Sequence, residues 1–368
     1  MVTVATVRRW LEKLAPREWA QDWDNVGLMV GKLEQKVERI ALALDPQPQV
    51  VAQAIEQGAD LLLTHHPLIF KPLAQIELDR GVGEIVAQAI GGGLSIYSLH
   101  TNLDLAPCGM AEFMAQKLGL ENISPACSRG REQLYKLVVF VPEKYNESVR
   151  AAMAAAGAGW IGNYSDTSFS SLGTGTFKPQ EGTTPFIGEQ GELAQVSEKR
   201  LETIVPEGSW PAVRDAMLRA HPYEEVAYDL YPLAEPRGRA LAFARIGTLP
   251  QALPLANWAE QVAQILDAQV HYAGDSKGLV QRIAVIPGSG GSLWQGAASA
   301  DCIVTGELGY HQLLEIKQAG KSAIVVGHEA SEAYFPELIL EFLQPRLQET
   351  GVEVIVLRSD SPWQGIVG

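Results

Sequence analysis

The sequence predicts an α/β body built in two halves and interrupted by an α+β insert. Short apolar runs such as Asp60-Leu-Leu-Leu-Thr-His65-His66-Pro67 have no helical period and end in polar residues. Such runs read as buried strands of a parallel sheet. Helical stretches separate them, which makes βαβ units whose sheets are covered on both faces. The alternation breaks around Ser124–Arg131 and resumes after Pro236-Arg237-Gly238. We therefore expect residues 1–127 to form the first half of the body, 128–236 the insert, and 237–368 the second half.

Residues 3–14 read as an amphipathic helix, with Thr3 or Thr6 available as its cap. In Trp23-Asp24-Asn25-Val26-Gly27-Leu28, the Asp-Asn pair before glycine reads first as a turn. A strand over 40–45 and a helix over 50–57 precede the strand ending at His65. Asp45 closes its strand before Pro46, where it can approach a pocket or cap the next helix. A helix over 83–90, a strand over 95–99 and a helix over 106–118 complete the first half.

In the insert, strand 134–142 and helix 147–156 precede a Gly/Ser/Thr-rich stretch over 157–191. Its aromatics, Trp160, Tyr164, Phe169, Phe177 and Phe186, favour hairpin strands over disorder. Strand 199–205, helix 210–220 and strand 226–230 repeat the strand–helix–strand order. Two such units make a split βαβ, ferredoxin-like domain. His221-Pro222-Tyr223-Glu224-Glu225 closes the second helix, where the histidine reads as structural rather than as a metal ligand.

The second half runs strand 241–246, helix 254–266 and strand 282–286. Gly288, Gly290 and Gly291 then turn the chain into a helix expected from Leu293, either as a plain turn or as an anion cradle. Neither a dinucleotide fingerprint nor a P-loop is present. Strand 301–305, a helix with His311, a strand ending at Gly327, a long helix to Leu347 and a strand over 352–357 follow.

Composition bounds the function classes. A chain of 368 residues with 46% hydrophobic content supports two or three units with full cores. No apolar run approaches the roughly 20 residues of a membrane helix, and the first residues lack a signal-peptide layout. Three scattered cysteines do not make a disulfide framework, so a reducing cytoplasm is expected. A net charge of -14 without a basic patch disfavours a nucleic-acid groove.

Three strand ends carry metal-ligand types: His65-His66, then His100-Thr-Asn-Leu-Asp104, then Gly327-His328-Glu-Ala-Ser-Glu332. His328 and Glu332, four apart, share one helix face. Alone, the His65-His66 pair reads first as a hydrogen-bonded strand end. With the other two segments, the nitrogen and oxygen donors exceed the usual three of one catalytic zinc. They suit two ions sharing a bridging carboxylate. His100 is a spare histidine beside them, and no cysteine joins the set.

These motifs, with Asp24-Asn25-Val-Gly27-Leu and Thr305-Gly306-Glu307 plus His311, resemble the Nif-three-like family of dinuclear-metal hexameric proteins, also labelled GTP cyclohydrolase type-two homologues. Many members carry Thr-Gly-Asp where this chain has Thr305-Gly306-Glu307. The resemblance implies metal ligands His65, His66, Asp104, His328 and Glu332, the glutamate bridging two divalent ions, with Asp24 and Asn25 beside the pocket. Zinc, iron and manganese all suit imidazole with carboxylate, as do cobalt and nickel. The resemblance also implies a homohexamer of two trimers and a PII-like or CutA-like insert. The leading expectation is a metal-dependent hydrolase of a nucleotide or another phosphorylated small molecule, with Glu307, His311 or His100 moving protons. The alternative is a metal-holding or regulatory scaffold in the form of a ring.

Overall fold

The computed structural model describes residues 1–235, 237–359 and 361. The expected junction at Pro236 lies outside the described residues. The fold is mixed α/β, and the chain divides into two compact units, Arg131–Arg239 and the segments that flank it.

In the first unit, one sheet has the order Gly27–Val30, Ser95–Ser98, Leu61–Thr64, Arg39–Ala43, Glu353–Val356. Its last four strands are parallel, and Gly27–Val30 joins antiparallel at the edge. Ala43 pairs with Thr64, and Thr64 with Ser98, so three strands end level and release Asp45, His65 and His100 along one edge. The side chains alternate as the pleat requires. Leu61 and Leu63 pack with helices Val4–Leu14 and Phe335–Leu347, whereas Leu62 packs with Pro48–Glu56 and Gly81–Gly91. Both faces are thus buried, which is why these strands read as unbroken apolar runs.

The other sheet has the order His271–Ala273, Ser322–Val325, Cys302–Glu307, Leu279–Ser289, Ala240–Pro254, Glu121–Arg131. Its central three strands are parallel. Val285 and Val304 pack against Trp258 and Met114 on one face, while Ile286 and Ile303 pack against Ile316 and Trp294 on the other.

Several expectations need correction. Each sequence half lends its last strand to the other sheet: Glu121–Arg131 joins the second and Glu353–Val356 the first. The helix expected over 106–118 is the shorter Met110–Lys117, and the turn expected at Asp104 is itself a short helix, Thr101–Leu105. Ala106 is extended between them, as a residue before proline tends to be. The long helix to Leu347 is likewise His328–Glu332 followed by Phe335–Leu347, with Pro336 in the first turn of the second. Residues 27–30 form a strand rather than only following a turn. The helix expected from Leu293 is a single 3-10 turn, Trp294–Ala297, too short to present an anion site.

The second unit is a four-stranded antiparallel sheet in the order Ser168–Phe177, Ala194–Pro206, Leu134–Pro142, Tyr228–Pro232. Helices Asn146–Ala155 and Trp210–Ala220 bring Val149, Met153, Val213 and Met217 onto Leu137, Val139, Leu201 and Val205. The Glu132 N–H donates to the Arg239 carbonyl at 2.9 Å, and the two side chains pair at 3.0 Å, so the ends of this unit lie together. Among the described residues, no helix is long and apolar enough to cross a membrane.

Candidate metal centre

The carboxyl edges of the parallel strands in the two sheets supply one cluster. His65 is fully buried just beyond Leu61–Thr64. Its Nδ1 lies 2.8 Å from the Leu99 carbonyl, which can only accept. Nδ1 therefore carries a proton, and His65 turns Nε2 inward. His66 Nδ1 lies 2.7 Å from Asp45 Oδ1, which leaves its Nε2 for the cluster in the same way. An imidazole oriented by a carboxylate or carbonyl on its far nitrogen is the usual arrangement of a ligating histidine.

Asp24 organises the next strand end. Its side chain is fully buried; it accepts from His100 Nδ1 at 2.8 Å, from the Thr101 N–H at 3.1 Å and from the Thr101 hydroxyl. These bonds fix His100 and start the helix Thr101–Leu105, which carries Asp104. Asp104 Oδ1 then stands 3.6 Å from His65 Nε2.

The second sheet contributes the short helix His328–Glu332. It opens at Gly327, whose φ of 89° is a left-handed conformation that a side chain would strain. Glu332 Oε1 lies 3.7 Å from His65 Nε2, while Oε2 lies 3.1 Å from Nε2 of both His66 and His328. Gly288 makes this approach possible: a Cβ there would sit 2.4 Å from Glu332 Oε1. The Gly288 N–H also donates to Ser331 Oγ at 2.9 Å and holds the helix in place.

The donor set fits a metal. His65 Nε2, Asp104 Oδ1 and Glu332 Oε2 are buried without a hydrogen-bond partner. The two 3.1 Å contacts to Glu332 thus lack hydrogen-bond alignment. Nitrogens and oxygens that converge without bonding one another are donors arranged about a shared centre, since buried polar atoms otherwise find partners. His65, His66 and His100 form one group able to hold an ion, and His66, His328 and Glu332 another.

Charge points the same way. Burial raises the Asp104 carboxyl, and Glu332 adds to the rise against the pull of His65. Burial also works against ionised Glu332, yet His65, His328 and His66 outweigh it and hold that carboxyl well below its usual range. Burial lowers His66, but Asp45 and Glu332 carry it up to about 10. The Glu332 contact carries His328 up to about 9 despite burial. Buried Glu332, with Asp45 on the far side of His66, thus draws positive charge onto the imidazoles, a demand that metal cations meet equally.

The structure gathers His65, His66, Asp104, His328 and Glu332 together, with His100 adjacent. Glu307 is exposed, with Oε1 3.5 Å from His328 Nδ1. His311 is exposed, lies edge-on to Tyr310 at 5.5 Å and belongs to neither group. His221 uses both ring nitrogens internally, Nε2 at 3.0 Å from the Phe140 carbonyl and Nδ1 accepting from Tyr223 N–H at 3.1 Å, so it is structural. Sequence reasoning left Asp45 undecided and missed the role of Gly288. An aspartate at a strand end before proline was the available signal for Asp45, whereas Gly288 had none, because its neighbour Glu332 is remote in sequence.

Fold and site together define a mixed α/β protein with a histidine–carboxylate cluster of metal-ligating type where the parallel strands of two mixed sheets end. The chain belongs to the Duf34/NIF3 (NGG1p interacting factor 3) family, whose model matches residues 2–362. It is 42% identical over 357 residues to the "GTP cyclohydrolase 1 type 2 homolog" of Halalkalibacterium halodurans, covering 96% of this chain and 95% of that protein. The Bacillus subtilis protein of the same name is 39% identical over 325 residues, 87% of each chain. Among solved structures, a Bacillus cereus protein related to NIF3 superposes with a TM-score of 0.84 at 36% identity, with 99% of both chains covered.

Proposed function

We propose that this chain is a dinuclear divalent-metal protein that hydrolyses a nucleotide or another phosphorylated small molecule. Its ligands are His65, His66, Asp104, His328 and Glu332, and zinc, iron or manganese suits the set. The carrying observation is the placement of Glu332, which offers Oε1 toward His65 and Oε2 toward His66 and His328. A carboxylate with one oxygen for each of two donor groups is suited to bridging two ions. Such ions supply Lewis acidity toward a phosphoryl or carbonyl oxygen and toward water.

The remaining work falls to the chain's own side chains. His100, locked through Nδ1 on Asp24, keeps Nε2 for accepting and returning a proton beside the cluster. Glu307 Oε1, 3.5 Å from His328 Nδ1, adds negative charge beside that ring. Trp23, 61% exposed, and Phe70 flank the His100 ring at 6.4 and 6.2 Å, and offer aromatic surface to a nucleobase. That surface, with the printed name of the relatives, makes GTP the first substrate to try.

The test combines metal analysis with a hydrolysis screen of GTP and other phosphorylated compounds. About two ions per chain are expected, with turnover that disappears in His65→Ala. One ion per chain, or turnover unchanged by that substitution, would refute the reading.

A second reading, the scaffold, rests on the second unit. Trp160, Ile161, Tyr164, Phe169 and Leu172 are all exposed there, large apolar side chains of the kind another copy would cover. On this reading Arg131–Arg239 is a ferredoxin-like, PII- or CutA-like module within a hexamer of two trimers. Sedimentation of Phe169→Asp alongside the unaltered chain tests it, and an unchanged mass would remove this support.

A further inference from the structure

The second unit holds a cavity of about 590 Å³ on the sheet face away from its two helices, with the segment 178–193 as one wall. That volume is within the range of small-molecule sites. Phe140, Phe177, Phe186, Tyr223, Leu172 and Ile187 give it an aromatic and apolar lining. The wall is clasped in place: the Thr184 N–H donates to both Glu224 oxygens at 3.0 and 3.2 Å. Phe186 packs at 5.7 Å from Tyr145 and 6.3 Å from Tyr223.

Into this lining the fold places a carboxylate. Glu198 is 7% exposed. Its Oε1 accepts from the Tyr223 hydroxyl at 2.9 Å, and burial together with that bond holds the proton on Tyr223. Oε2 has no hydrogen-bond partner among the described residues. It is admitted by Gly175, where a Cβ would stand 1.9 Å away. The lining has two cations, and neither pairs with Glu198: Arg200 is engaged with Glu202 at 3.0 Å, and Lys178 is exposed. Oε2 thus meets the cavity beside Gly175 with no cation on it, so a charge of opposite sign is its natural complement.

We propose that this cavity binds a small organic ammonium, its apolar body among the aromatic rings and its charged nitrogen on Glu198 Oε2. Aromatic faces favour a cation, and the carboxylate supplies a charge-assisted hydrogen bond. A neutral alcohol of the same shape can still donate to Oε2 but brings no opposite charge, and a carboxylate is repelled, so the site discriminates by charge. The proposal is independent of the metal centre.

Calorimetry on the full, metal-loaded chain tests it with 2-phenylethylammonium, 2-phenylethanol and 3-phenylpropanoate as probes. The amine should bind at least about tenfold more tightly than the alcohol, and the carboxylate should not bind. Glu198→Gln should erase the preference for the amine. Should that variant fail to fold, Gly175→Ala serves instead, because its methyl group displaces the carboxylate and should lower amine affinity alone. Amine binding must survive in Glu332→Gln; its loss there would put the amine on the metal centre and overturn the proposal. Equal binding of alcohol and amine, an unchanged preference in Glu198→Gln, or no amine binding by the full chain would also overturn it.

Discussion

Gly288 and Asp45 set the geometry of the metal centre without belonging to the ligand set. A methyl at Gly288 would meet Glu332 Oε1 at 2.4 Å, and its φ of 62° penalises any side chain. Gly288→Ala should therefore fold less stably by about 1 kcal/mol and hold less metal, as metal analysis and thermal melts would show. Asp45→Asn keeps the shape but weakens the hold on His66 Nδ1, so metal affinity should fall about 10–100-fold. Competitive chelation measures that loss, and an unchanged affinity would remove Asp45 from the design. Unperturbed imidazoles would let protons compete with metal only below about pH 6.5. Here, in the metal-free chain, His66 is raised to about 10 and His328 to about 9. Folded values above the unfolded one mean that bound protons stabilise the metal-free fold fully below the unfolded value. That contribution disappears as pH rises through about 9 to 10. Metal displaces the same protons. Binding at pH 8 should thus release up to about two of them, read as buffer-dependent calorimetric heats. Zero release would show that the carboxylates do not hold these protons. The proposed ligands were legible in the sequence because they lie at or just beyond the ends of apolar strands. Gly288 was not, since a close approach between residues distant in the chain leaves no local pattern.

Arg245 shows how one element fixes another. It lies 2% exposed on Ala240–Pro254, with Nε 2.7 Å from Glu112 Oε2 and Nη2 2.8 and 3.0 Å from the Ala106 and Pro107 carbonyls. Those acceptors lie in and beside the connection between the helix of Asp104 and Met110–Lys117, so this strand of one sheet steadies a ligand-bearing segment that follows a strand of the other. Arg245→Ala strands these acceptors and should cost about 3–5 kcal/mol, measurable by urea unfolding. A loss below about 1 kcal/mol would show that the acceptors find water instead. Most strands and helices could be read from apolar runs and helical periods, since those signals are local. Sheet membership could not. Glu353–Val356 and Glu121–Arg131 carry no mark of which sheet accepts them, because pairing is decided by distant partners. The break after Glu332 was likewise hidden, since helical residues lie on both sides of it.

The two units divide the chain's chemistry between them. All five proposed metal ligands and the residues that orient them belong to the flanking segments, none to Arg131–Arg239. The change of pattern near Ser124–Arg131 announced a separate unit because its strands alternate and its connections are rich in glycine, serine and threonine. The exact junctions were not marked, since Glu121–Arg131 and Ala240–Pro254 run as strands up to them. At the base of the excisable unit, Glu132 and Arg239 are hydrogen-bonded at 2.9 Å. On the other side, the Ser128 hydroxyl donates to the Leu241 carbonyl at 3.3 Å, so the cut ends of the body also lie close. Insertions whose ends adjoin can be removed at little cost in loop closure. Replacing Arg131–Arg239 with a short Gly/Ser linker should therefore leave a folded body with its metal content unchanged. The same protein should lose all affinity for 2-phenylethylammonium, because Glu198 and its aromatic surround leave with the unit. Metal analysis, circular dichroism and calorimetry on this one variant decide the point. Loss of both fold and metal would make the insert part of the core, and retained amine binding would move that site to the body.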